Sequence, residues 1–239
     1  MQRSLPSNVN PGFLTCAPVL IDAFEGKCEL VLGGGTMLAS RWNHRVNTDL
    51  VFYAYGDAGQ MPRHIEEVGL ALAAANQPFR ELTVQARYLS FECMGTNVSI
   101  FTTMSLTHAL SVEHESATGL SLEATEEILA KKLSGRIVGL GDFLVRDVYD
   151  LCVASYLDAD AYEKALRGIT REQMADVASE LGSLAVRTPR SLAPLISPKY
   201  GLLAERVWLH PQSLFGGQRL PPHLFTSGPP NDLETFDSV

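Results

Sequence analysis

The chain is short of positive charge. Among its 239 residues, Lys and Arg number 19 against 27 Asp and Glu, for a net charge of −8. That balance excludes a protein that coats nucleic acid nonspecifically, because neutralising phosphates needs clustered Lys and Arg. An enzyme that touches RNA through a local patch stays open, and the largest basic cluster is Arg41, His44 and Arg45. Long apolar runs are also missing: none approaches the ~20 residues of a membrane-spanning helix, and no basic segment followed by an apolar one opens the chain. A soluble cytoplasmic protein without membrane partners is expected. Cysteines are few and scattered. Cys16, Cys28, Cys93 and Cys152 form no C-x-x-C pair and have no histidine at zinc-ligand spacing. Reduced core thiols are expected, and a zinc site is not. His108 and His114 lack a third ligand and read as surface or packing residues. No internal repeat is visible.

What is present is a globular composition, 46% apolar and 19% charged, in a chain long enough for one large domain or two small ones. The first half alternates between helical and strand patterns. Residues 12–25 read as a helix after a Pro- and Asn-containing lead-in, 28–32 (CELVL) as a short strand ended by Gly33, Gly34 and Gly35, and 36–42 as a helix. Residues 48–55 (TDLVFYAY) have strand composition, 62–76 a helix with Pro in its first turn, and 82–91 and 97–106 two strands joined around Gly95. This predicts an α+β fold with a small mixed sheet. From residue 121 the period turns helical: 121–138 is amphipathic with acids first and Lys131, Lys132 and Arg136 later, as the helix dipole favours. Residues 146–157 give a second helix. A third starts at Thr170, with Gln173 completing a capping box, and stops at Gly182. The predicted layout is a sheet domain over residues 1–115, a helical region over 116–210, and a Pro- and Gly-rich tail over 211–239, poorly ordered or strapped across the surface.

One stretch carries chemistry. In LGGGTMLASRWNHRVNTDLVFY, glycines at a strand end run into a helix, and Asp49 opens the next strand. Glycines allow backbone N–H groups to approach phosphate oxygens at a helix start. A carboxylate at a strand edge suits Mg²⁺, which prefers hard oxygen ligands. Residues i and i+2 of a strand share a face, so position 51 looks the same way as Asp49, and Val51, which offers no ligand, stands there. Each feature also has a plainer account. The glycines make a tight turn, Asp49 pairs with Arg45, the lysines form a solvated helix face, and Asp147 and Asp150 belong to a salt-bridge network with Arg146. Phe52, Tyr53 and Tyr55 read as core or rim of the sheet.

Gly34-Gly35-Thr36 followed by Arg45, Thr48 and Asp49 resembles the signature of the DNA polymerase β-like nucleotidyltransferase superfamily, specifically its AbiEii-like toxins. Downstream, EEILAKKL (126–133) and RDVYDL (146–151) are similar to that family's Lys-bearing helix and Arg-Asp-x-Tyr-Asp-Leu segment. The two matches keep the family's order and cover roughly residues 25–155.

The resemblance implies a polymerase-β-like nucleotidyltransferase domain followed by a helical C-terminal region. It implies transfer of a nucleotide from an NTP, with Mg²⁺, to a tRNA or protein acceptor, in a toxin–antitoxin or phage-defence system with a cognate antitoxin as partner. Gly34, Gly35, Thr36 and Arg45 would bind the nucleotide, Asp49 a metal, Lys132 the triphosphate or base, and Asp147 the acceptor side. The chain departs from the family at three places. Val51 replaces the second acid, Ser99 stands where a third is expected, and Gly33 replaces the lysine before the glycines. A catalytically inactive relative that binds a nucleotide or partner is the alternative these departures leave open.

Overall fold

The structure, a computed structural model, describes residues 2–3, 12–75, 79–109, 113–187, 197–209, 211–215 and 218–227. It divides into two compact units, Met1–Arg41 with Asn47–Ile128, and Trp42–Val46 with Leu129–Val239.

The first unit is built on one mixed sheet. Its strands are β1 (Gln2–Arg3), β2 (Glu29–Gly33), β3 (Leu50–Tyr55), β4 (Phe79–Gln85), β5 (Tyr88–Cys93), β6 (Thr96–Thr103), β7 (Glu113–Glu115) and β8 (Ser121–Leu122), in the order β1-β7-β8-β2-β3-β6-β5-β4. At its centre β2 runs antiparallel to β3, and β3 parallel to β6. The α+β class with a mixed sheet is as the sequence predicts. Helices α1 (Gly12–Phe24) and α3 (Met61–Ala74) pack against β2, β4 and β5. Side chains along β3 alternate: Leu50, Phe52 and Ala54 are fully buried, whereas Val51, Tyr53 and Tyr55 are half-buried. Apolar side chains of one parity therefore form the core, and those of the other share the opposite, more open face with Asp49. Helix α2 (Gly34–Trp42) leaves the end of β2 directly, so its first turn stands at the edge of that open face.

Three local expectations are corrected. The single strand expected over 82–91 is a hairpin, β4 and β5, with Gln85 opposite Tyr88. Its two-residue connection, Ala86-Arg87, carries none of the Gly or Asn that mark such turns in a sequence. The helix expected from residue 121 begins later, at α4 (Thr125–Ala130), because Ser121 and Leu122 pair with Val31 and Leu32 as β8. Strand pairing overrides the local helical period there. Cys93 is disulfide-bonded, whereas Cys28 and Cys152 are free. Sequence spacing does not reveal which thiols the fold brings together, and the side chain of Cys16 lies outside the described residues.

The second unit is helical. After α4 the chain winds as a π-helix over Lys131–Val138, followed by α5 (Val145–Leu157), α6 (Ala159–Leu166), α7 (Arg171–Arg187), α8 (Gly201–Arg206) and α9 (Pro211–Phe215). The capping box at the start of α7 forms as its sequence predicts: Gln173 N–H donates to Thr170 Oγ1 at 3.2 Å, and Thr170 N–H donates to Gln173 Oε1 at 2.9 Å. The helix does not stop at Gly182 but runs on to Arg187. An interior glycine costs only about 1 kcal/mol, and Leu181, fully buried beside it, offsets that cost. Within the Pro- and Gly-rich tail, Phe225 stacks on Tyr156 with ring centroids 4.0 Å apart and meets Tyr200 edge-on, while Leu220 and Leu224 are buried. Residues 228–239 of that tail lie outside the described residues. No helix among the described residues is long and apolar enough to cross a membrane.

Candidate active site

In the first unit, the strand-to-helix junction brings Gly34, Gly35, Thr36 and Asp49 together. Thr36 is buried, and its hydroxyl donates to the backbone carbonyl of Asp49. Asn47 Nδ2 donates to that same carbonyl and to Thr36 Oγ1, each at 2.7 Å. Thr36 is thus an anchor for the start of β3. It fixes the backbone that carries Asp49 and leaves the carboxylate itself lightly held. The one hydrogen bond to that carboxylate among the described residues comes from the exposed Asn97 amide at 3.4 Å.

Val51 occupies the neighbouring position on the same face. It lies opposite Gly33 on β2 and Ser99 on β6, so the three departures from the nucleotidyltransferase pattern form one row across the sheet. Gly34 has φ +68°, a conformation that favours glycine, and a Cβ placed on it would lie 2.9 Å from Cβ of Val51. Val51 therefore packs directly on the glycine backbone at the start of α2. At Gly33 a Cβ would come 2.1 Å from Glu123 Oε2 and 3.0 Å from the Tyr53 ring. The Glu123 carboxylate, buried and accepting a 2.7 Å hydrogen bond from Tyr55 Oη, fills the space where a lysine side chain would begin.

The oxygen donors nearest Asp49 on this face are the Asn97 amide and the Ser99 hydroxyl, while the other carboxylates of the face, Glu92 opposite Asn97 on β5 and Glu123 over Gly33, belong to neighbouring strands and to the bond with Tyr55. No group of three or more His, Cys, Asp or Glu side chains able to hold a metal occurs among the described residues. That donor set does not fit a two-ion clamp. It fits a single Mg²⁺, which commonly keeps several waters and takes one or two carboxylates together with substrate phosphates.

In the second unit a charge network is almost wholly buried. Asp150, with 0% exposure, accepts a two-pronged bond from Arg45, Nε at 2.7 Å to Oδ1 and Nη2 at 2.8 Å to Oδ2. Lys132 Nζ lies 3.1 Å from Oδ2 of the same carboxylate, and His44 Nε2 is 2.7 Å from Oδ1. Lys132 also bonds Asp147, whose other oxygen takes Arg136 Nη1 at 2.5 Å. Asp147 and Asp150 are three apart on α5 and so share a face. Lys132 and Arg136 are four apart on the π-helix. Its winding, wider than the 3.6 residues per turn of an α-helix, aims residues four apart in more nearly the same direction.

Burial opposes ionisation of Asp150, but Arg45 and Lys132, with hydrogen bonds from Arg45 and His44, hold its pKa well below the ordinary carboxylate value. Burial likewise depresses His44, and the Asp150 carboxylate only partly restores it, so the imidazole is neutral. It then donates through Nε2 to Asp150, and its buried Nδ1 has no partner among the described residues. The ring is held in place by a parallel contact with Tyr149 and an edge contact with Trp42. Tyr149 Oη donates to the His44 carbonyl at 3.1 Å and accepts from Tyr200 N–H at 3.2 Å.

The structure thus gathers the sequence-predicted residues into two groups, Gly34, Gly35, Thr36 and Asp49 in one unit and Arg45, Lys132 and Asp147 in the other. Arg45 pairs with Asp150 and not with Asp49, and Arg146 is exposed, while Asp147 and Asp150 pair with Lys132, Arg136 and Arg45. Sequence reasoning missed Asn47, Asn97, Glu123 and the joining role of His44. Asn47, two residues before Asp49, carried a weak signal as a turn residue; Glu123 and His44 carried none, since tertiary packing alone brings them to their partners.

No protein-family profile matches the chain, and no curated protein matches it. The fold is similar to that of JHP933 from Helicobacter pylori, at 13% identity and TM-score 0.49 over 89% of this chain and 92% of that one. It is also similar to an H. pylori protein provisionally described as a nucleotidyltransferase, at 14% identity and TM-score 0.47 over 84% and 91%. A third solved structure it resembles is the antibiotic-resistance factor ANT(2'')-Ia, at 12% identity and TM-score 0.38 over 73% and 93%.

Proposed function

We propose that this protein is an AbiEii-like nucleotidyltransferase that moves a nucleotide from an NTP to a tRNA or protein acceptor, in the cytoplasm, within a toxin–antitoxin or phage-defence system that supplies a cognate antitoxin. The observation that carries this is the seating of Asp49. Thr36 and Asn47 clamp its backbone beside the glycine-started helix α2 and leave its carboxylate to a cation. Asp49 would hold one Mg²⁺ shared with the substrate phosphates, and the ion would neutralise charge at the phosphorus under attack. Gly34 and Gly35 would admit the phosphates to the backbone N–H groups of α2. Lys132 and Asp147, enclosed within the helical unit, would act by holding the side chains around them.

A second reading is favoured by the packing of Val51 on Gly34 and by Glu123 over Gly33. On that reading the chain keeps the fold to bind a nucleotide or a partner and no longer catalyses transfer. Loss of a metal ligand from such a site costs several kcal/mol of transition-state stabilisation, about a thousandfold or more in rate. Incubation with labelled NTPs, Mg²⁺ or Mn²⁺ and total tRNA separates the two, with Asp49→Ala and Val51→Asp variants alongside. Transfer by the unaltered protein that Asp49→Ala abolishes supports the transferase. Transfer that survives Asp49→Ala refutes the role given to Asp49. Absence of transfer from all forms, with NTP binding retained, establishes the binding role.

A further inference from the structure

The described side chains of the buried network in the second unit set Arg45, Lys132 and Arg136 around Asp147 and Asp150, with His44 neutral. Of these side chains Arg136 alone reaches solvent substantially, at 33% exposure against 7% for Lys132 and 0% for Asp147. One edge of its guanidinium is spent on Asp147 through Nη1. Its remaining N–H donors have no partner among the described residues. Lys132 is in the opposite position, enclosed and shared between Asp147 and Asp150.

We infer that Arg136 is the phosphate-binding side chain of this unit, taking an oxyanion of a nucleoside triphosphate on its free edge, while Lys132 acts behind it by fixing Asp147. The inference rests on the nucleotidyltransferase reading only for the identity of the ligand as a nucleotide. Three observations carry it. Arg136 is the cation of the network that reaches solvent and keeps N–H donors without a partner among the described residues. Asp147, itself gripped by Lys132, holds the guanidinium in one orientation, so its planar fork is ready for a phosphate. And the π-helix that aims Lys132 and Arg136 at one carboxylate is a rare winding, found disproportionately at functional sites.

The test uses the full chain, without metal, and follows binding of inorganic tripolyphosphate, ATP and a short oligoribonucleotide by calorimetry. The variants are Arg136→Gln, Arg136→Lys, and Arg146→Gln as a control for surface charge. Arg136→Gln is expected to weaken tripolyphosphate and ATP binding about tenfold or more. Arg136→Lys, which keeps the charge and its bond to Asp147 but lacks the fork, is expected to fall between it and the unaltered protein, and Arg146→Gln to leave binding unchanged. Thermal melts establish that the variants are folded, and Arg136→Lys decides the matter if Arg136→Gln is not. Unchanged affinity in a folded Arg136 variant overturns the inference, as does an unaltered protein that binds no tripolyphosphate at millimolar concentration. A loss confined to the oligoribonucleotide overturns the triphosphate assignment. Failure of transfer with an intact Arg136 effect on tripolyphosphate removes the transferase reading and leaves this one; transfer that needs Asp49, with tripolyphosphate binding indifferent to residue 136, does the reverse.

Discussion

Replacing Asp150 by Asn probes the buried network at its most connected atom pair. The side chain is fully enclosed, and its two oxygens face four donors: Arg45 Nε and Nη2, Lys132 Nζ and His44 Nε2. Asparagine keeps the shape and one acceptor oxygen, which can still serve His44 and Arg45 Nε. Its amide nitrogen then points at Arg45 Nη2 and Lys132 Nζ, donor against donor. The variant also leaves two cations, each 7% exposed, with Asp147 as the remaining carboxylate of the network. Removing one partner of a buried ion pair costs about 3–5 kcal/mol, and the donor clash places Asp150→Asn at the upper end. At roughly 2–4 °C per kcal/mol for a chain of this size, the midpoint of thermal unfolding should fall by about 10–20 °C. Urea unfolding followed by circular dichroism should give the matching loss of free energy. Adding Lys132→Met to Asp150→Asn should return part of it, because the second change removes one of the stranded charges. A melting shift under about 2 °C for Asp150→Asn, or strict additivity in the double variant, would refute the account of a tightly coupled buried network.

Gly33→Lys, which restores the residue of the nucleotidyltransferase pattern, should destabilise by about 1–3 kcal/mol through overpacking against Glu123, and Glu123→Ala in the same chain should relieve most of that loss in urea titrations. His44 has a folded-state pKa depressed below its ordinary 6.5. The unfolded chain therefore binds more protons between the two values, so stability is fully present above about pH 6.5 and falls by up to about 1.4 kcal/mol per pH unit below it. Urea midpoints at pH 7.5 and 5.5 should show a smaller acid loss for His44→Gln, which keeps a donor for Asp150 and cannot titrate. Phe225→Ala should cost about 3 kcal/mol, since it removes a buried ring stacked on Tyr156 and set edge-on to Tyr200; an unchanged melting point would refute the docking of the tail.

What could be read from the sequence was what local chemistry dictates. The strand composition of residues 48–55, the proline in the first turn of α3 and the Thr170–Gln173 capping box each specify their element within a few residues, and each appears in the structure. The hairpin at Ala86-Arg87 and the short strand β8 were hidden for the opposite reason. Their conformations are imposed by pairing with distant strands, which local propensity does not register. The site divides the same way. Asp147 and Asp150, three apart on one helix, could be expected to act together. Their joining to Arg45 and His44, more than a hundred residues away in sequence, could not be expected. Thr36 shows how a residue type can mislead: a hydroxyl at a helix start reads as a phosphate ligand, yet burial spends it on the Asp49 carbonyl.

The three departures on the open face bear on one another. A single Asp-to-Val exchange in an otherwise intact metal site would leave an acid on β6 and a lysine before the glycines. Here Val51, Ser99 and Gly33 lie side by side in one row of the sheet. Two of them are matched to their surroundings, because Glu123 fills the space over Gly33 and Val51 fills the space over Gly34. Close packing of this kind penalises piecemeal reversal: a lysine at residue 33 meets Glu123, while a carboxylate at residue 51 gains no second acid from Ser99. The row therefore behaves as one adapted surface, and on the proposed function Asp49, with its backbone clamped and its carboxylate lightly held, is the member of that face that would work with a cation shared with the substrate.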